Sequence, residues 1–185
     1  MGDKSQTGVM EGLELYLDDL DQIARLGFAK YREIPIEFRL EHCARSRANC
    51  TYDHMMAEAD RRFEDVAKLR RIETNGLKVW AVDDHTVIRF KKMNHEGQSR
   101  NYQTRQAKAF DRGDDIPELP APATRVTVGY VPDPTDTSIQ RVQVALVAGK
   151  RVAWCAAIIP SADREAGMAM WEDVTIQRPM TGFPG

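Results

Sequence analysis

Residues 75–92 read Asn75-Gly76-Leu77-Lys78-Val79-Trp80-Ala81-Val82-Asp83-Asp84-His85-Thr86-Val87-Ile88-Arg89-Phe90-Lys91-Lys92, and this run decides the fold class. Leu77, Val79 and Ala81 point one way while Trp80 and Val82 point the other. A period of two with apolar side chains on both sides describes a strand covered on both faces. Asn75-Gly76 is a hairpin signal, because both residue types tolerate positive φ. Asp83-Asp84-His85 supplies a second turn. Thr86 to Lys92 is then a second strand, with Ile88 and Phe90 facing the core and Val87, Arg89 and Lys91 facing elsewhere.

Working backwards, the period lengthens to about 3.6. Leu13, Leu17, Leu20 and Ile23 mark a helix from about Met10 to Phe28, with Gly27 as its stop signal. Pro35 suits the first turn of a second helix, on which Ile36, Leu40 and Cys43 share a face. The apolar period lapses over 44–49, and Thr51 reads as the N-cap of a third helix carrying Met56, Ala59, Phe63 and Val66 to about Arg70. Working forwards, a short helix is expected over about 102–110, then a Pro-rich loop over 111–123. Strands follow around Val126–Tyr130, Ile139–Val147 and Val152–Ile159. The order of helices, three strands, a helix and three strands predicts an α+β fold. Its N-terminal helices pack on a mainly antiparallel sheet of about six strands with one short inserted helix. Residues 1–70 form the helical region, 71–160 the sheet region of the same domain, and 161–185 a C-terminal tail.

Composition bounds the function classes. The chain has 185 residues, a formal net charge of −2 and 42% hydrophobic residues, which fits one globular domain with a sizeable core. No apolar run is long enough to span a membrane, and no secretory signal is visible. Three cysteines is an odd number, which argues for a reducing cytoplasm and against a disulfide framework.

Three constellations could carry chemistry. Between Arg89 and Arg112 stand seven Lys/Arg and two acids, a net of +5 on an acidic protein. Arg89, Lys91, Lys92, Arg100, Arg105 and Lys108, with Tyr102 for stacking, are candidate contacts to nucleic acid or an acidic partner. His42, Cys43, Cys50 and His54 are zinc-binding residue types within thirteen positions, although no Cys-x-x-Cys spacing accompanies them. Glu73, Asp83 or Asp84, and Lys91 are a third set, acids grouped with a lysine, to which the helix acid Glu64 could be added. Cys155 reads as an inert core thiol, and Trp171 as an anchor for the tail or for a partner.

Two resemblances add context. Over about residues 52–130 the element order resembles the restriction-endonuclease-like fold, which places an acid on its second strand and an acid-x-lysine on its third. Here the second strand ends in Asp83-Asp84 and the third reads Arg89-Phe90-Lys91, so an arginine replaces the second acid. A cation cannot ligate Mg²⁺, so the resemblance implies at most a diverged metal-dependent nuclease. Its candidate catalytic set is then Glu73, Asp83, Asp84 and Lys91, and a helix acid such as Glu64 could complete it. The stretches Val79–Asp84, Ile88–Lys92, Ser99–Ala107 and Val128-Gly129-Tyr130 resemble a group of small bacterial proteins. These occur on mobile-element, phage-defence or toxin–antitoxin loci, beside helix-turn-helix and metallopeptidase-like regulators. That resemblance supplies context and no catalytic residues; together with the basic segment it leads to the expectation of a non-catalytic interaction or nucleic-acid-binding protein, with no cofactor expected. A diverged nuclease is the alternative, and an assembly role through exposed apolar surface is the third reading. The sequence gives no indication of oligomeric state.

Overall fold

The structure, a computed structural model, describes residues 4–99 and 104–176. Its helices are α1 (Gln6–Gly12), α2 (Leu17–Arg32), α3 (Ile36–Glu41), α4 (Ala44–Phe63) and α5 (Arg105–Arg112). The strands are β1 (Leu69–Thr74), β2 (Leu77–Val82), β3 (Thr86–Lys92), β4 (Thr124–Pro132), β5 (Ile139–Ala148), β6 (Arg151–Ile158) and β7 (Trp171–Asp173). All seven join one sheet in chain order. Every neighbouring pair is antiparallel except β3 and β4, which run parallel. The fold is therefore α+β, with N-terminal helices before a mostly antiparallel sheet. It has seven strands where six are expected, because Trp171 pairs with Ile158 and adds β7 to the edge.

Local chemistry places these elements. Asn75, Asp83 and Asp84 take positive φ, as the two hairpin turns require. Trp80, Val82, Ile88, Phe90, Val126, Val128, Tyr130, Val142 and Val144 project to one face and meet α1, α2 and α4. An aromatic row runs through this core: Trp80 lies edge-on to Phe63 at 6.1 Å and to Phe90 at 5.6 Å. Each such buried side chain contributes about 1.5–3 kcal/mol.

The opposite face is covered by the connection between β3 and β4. A parallel pair cannot be closed by a tight turn, so the chain must cross over the sheet. Phe110 of α5 and Leu119 beyond it cover Ile72, Val79, Ala81 and Val87. The earlier part of the crossover covers Ala145 and Cys155, and Gly97 there stands where a Cβ would sit 3.0 Å from that of Ala145. The Asn94 side chain holds this loop by accepting from the backbone of Glu96 and Gln98. Both sheet edges carry charge: Arg70, Arg71 and Glu73 on β1, Glu172 and Asp173 on the three-residue β7. Charged and short edges suppress strand addition by another chain.

Several helix boundaries differ from expectation. The helix expected over about 10–28 is α1, a tighter turn over Glu14–Tyr16, and α2, and the one expected to reach about Arg70 ends at Phe63, with Leu69 and Arg70 on β1. α4 begins at Ala44 with Cys43 as N-cap, and Thr51 lies buried inside it. Only Ala48 is buried in its first turns, so the apolar period lapses there while the helix continues. Gly27 does not stop α2 either. It sits where α2 crosses α4, and a Cβ there would lie 2.5 Å from Met55 Cγ and 2.8 Å from the Met55 backbone nitrogen.

That contact yields a prediction. Gly27→Ala gains about 1 kcal/mol of helix propensity, but it overpacks the crossing against backbone atoms. A net destabilisation of about 1–2 kcal/mol is expected, lowering the melting temperature by about 2–8 °C. A circular-dichroism melt at or above the wild-type temperature refutes the close-approach account.

Candidate functional site

Among the described residues, the basic segment does not form one open cationic face. Arg89 is 3% exposed and lies under α5. Its Nε donates to Thr127 Oγ1 at 2.8 Å, and its guanidinium forms a short ion pair with the Asp111 carboxylate. The Phe110 ring lies 4.5 Å from Arg89 Cζ. Burial pushes the Asp111 carboxyl upward, with the Arg89 guanidinium pulling it back. Arg89 is therefore a structural clamp, and it is withdrawn from the surface contacts expected of it. Sequence reasoning missed this because the period assigns Arg89 a face without saying what covers that face.

The other cations are dispersed. Lys92 Nζ binds Asp136 Oδ1 at 2.9 Å, and Arg47 Nε takes the other oxygen at 3.1 Å, tying α4 to the ends of β3 and β4. Arg112 binds Asp114 at 2.6 Å. Lys91 is half-buried with its Nζ 5.3 Å from the Tyr52 ring centre. Burial, followed by repulsion from Arg89, pushes its amine below the usual lysine range. Arg105 and Lys108 stand exposed on α5 without an ion pair among the described residues. Arg100 and Tyr102 lie outside the described residues.

The nuclease set does not gather. Asp83 and Asp84 sit at the exposed β2–β3 turn, paired with Lys68 and Arg70. Glu73 lies toward the other end of β1, paired with Arg71 and Lys78. Lys91 is likewise at the far end of β3. Four to five residues of extended chain separate the two groups, about 13–17 Å. Glu64 is the C-cap of α4, outside both groups.

The zinc set fails on the same kind of ruler. Cys43, Cys50 and His54 share α4, and eleven residues of helix place Cys43 and His54 about 16 Å apart. His42 stacks on Tyr31 instead, and its carbonyl accepts from Arg47. Among the described residues no three His, Cys, Asp or Glu side chains could hold a metal. One member of the set is still chemically distinctive. Cys43 is exposed at the start of α4, with its Sγ 3.4 Å from Ser46 Oγ. The Ser46 hydroxyl, followed by the backbone N–H groups of Ser46 and Arg45, lowers its thiol to about 7. Cys155 is buried as expected, and burial raises its thiol to about 12.

Three surface features were not visible in the sequence. A cleft of about 700 Å³ lies between α2 and the β5–β7 edge; its lining includes Asp21, Arg25, Arg141 and Glu172. Asp21 is 2% exposed and grips Arg25 Nε with both carboxylate oxygens, at 2.8 and 2.9 Å. A groove of about 370 Å³ runs along the outer side of α2 and α4. α3 has no buried residue at all. Its Ile36, Phe38 and Leu40 are 55%, 55% and 79% exposed, and Leu26 on α2 is 42% exposed. The shared face of Ile36 and Leu40 was legible, but the lack of a covering partner was not. Trp171, the other expected anchor, is half-buried against the main core. Among the described residues, no helix is long and apolar enough to cross a membrane. No protein-family model, curated protein or solved structure matches the chain.

Two measurements check this account. Asp111→Ala leaves Arg89 buried without a counter-charge, and a loss of about 3–5 kcal/mol is expected in denaturant unfolding. Pairing Arg89→Met with Asp111→Leu recovers most of it if burial of an uncompensated charge is the cause. Separately, iodoacetamide should label Cys43 in the native protein with a rate that rises through pH 7 and levels above it, since only the thiolate reacts. Mass spectrometry finding Cys155 labelled first would contradict the assigned environments.

Proposed function

We propose that the protein is a non-catalytic interaction module whose working surface is α3. The observation that carries the reading is that none of the six residues of α3 is buried, while three of them are large and apolar. Exposed apolar groups clustered on one element mark interaction sites in proteins that otherwise cover such groups. The long N-terminal helices pack their apolar stripes on the sheet; α3 keeps its own in solvent. Internal pairing of Arg89, Lys92 and Arg112 weighs against a phosphate-binding face. The separation of Glu73 from Asp83 and Asp84 weighs against a diverged nuclease. The setting, a bacterial defence, stress or toxin–antitoxin type system, is the one implied by the sequence resemblance.

The test combines nucleic-acid and stability assays. Mixed DNA and RNA are incubated with the protein at low salt, with and without Mg²⁺ or Mn²⁺. Intact nucleic acid and no retention are expected. Retention that fades with salt and is lost in Arg105→Glu with Lys108→Glu would establish nucleic-acid binding instead. Metal-dependent cleavage abolished by Asp84→Ala would establish the nuclease. In parallel, Ile36→Asp with Leu40→Asp should leave stability within about 0.5 kcal/mol of wild type, because neither side chain packs in the core. A large loss would show that α3 supports the fold rather than a partner.

A further inference from the structure

We draw no further inference here: the strongest candidate, the exposed apolar face of α3 that carries Ile36 and Leu40, is the surface already proposed to meet a partner, and nothing in the structure shows what covers it.

Discussion

The ion pair between Arg89 and Asp111 holds the one unusual join in this sheet. Five of the six steps between neighbouring strands are antiparallel, but the step from β3 to β4 is parallel. A parallel step leaves a long crossover that must be fastened to the sheet it spans. Arg89 fastens it from the strand side, bonding Thr127 on β4 and Asp111 on α5 at once, with the Phe110 ring against its guanidinium. Asp111 also holds the turn between β5 and β6, since its backbone carbonyl accepts from the Gly149 N–H. The second face of the sheet is thus closed by a connection, while the first is closed by helices. A buried ion pair contributes little net stability against an apolar substitute, so its value here is that it fixes where α5 lies.

This arrangement explains which parts of the fold could be read from the sequence. The alternation of Val79, Ala81, Trp80 and Val82 reports two covered faces, and the Asn75-Gly76 and Asp83-Asp84 turns report the hairpins. These signals are local, and they survive into the structure unchanged. Arg89 carries no such signal. It shares a face with Val87, and its partner lies 22 residues further along the chain. Periodicity says that a side chain leaves the strand on a given side, not what waits there. Gly27 and the first turns of α4 were misread for the same reason. A glycine within an apolar period reads as an ending until the crossing of a second helix at Met55 gives it a packing role.

The candidate sets are spread by distance. Sequence spacing groups residues that helices and strands then spread along an axis. Cys50 and His54 are one turn apart on α4, but Cys43 at its N-cap lies two further turns away, and a rigid rise keeps it from them. Asp83, Asp84 and Glu73 lie close in the chain, but the antiparallel hairpin returns Glu73 to Lys78 rather than to the turn. The features that do gather side chains, such as Asp136 holding both Arg47 and Lys92, unite segments more than forty residues apart.

α3 turns that argument around. Its apolar residues were legible as a face, and a face of this kind is ordinarily assigned to the core. Core and interface make the same demand on composition, because each removes apolar surface from water. What separates them is whether the covering surface belongs to the same chain. The corner where α3 joins α2 and α4 is held through polar groups, with Arg39 on the Ile34 carbonyl, Tyr31 stacked on His42, and Arg47 on the His42 carbonyl. These contacts fix the corner in place while leaving Ile36, Phe38 and Leu40 in solvent. A helix secured through its polar neighbours and left bare on its apolar flanks is arranged to be covered from outside.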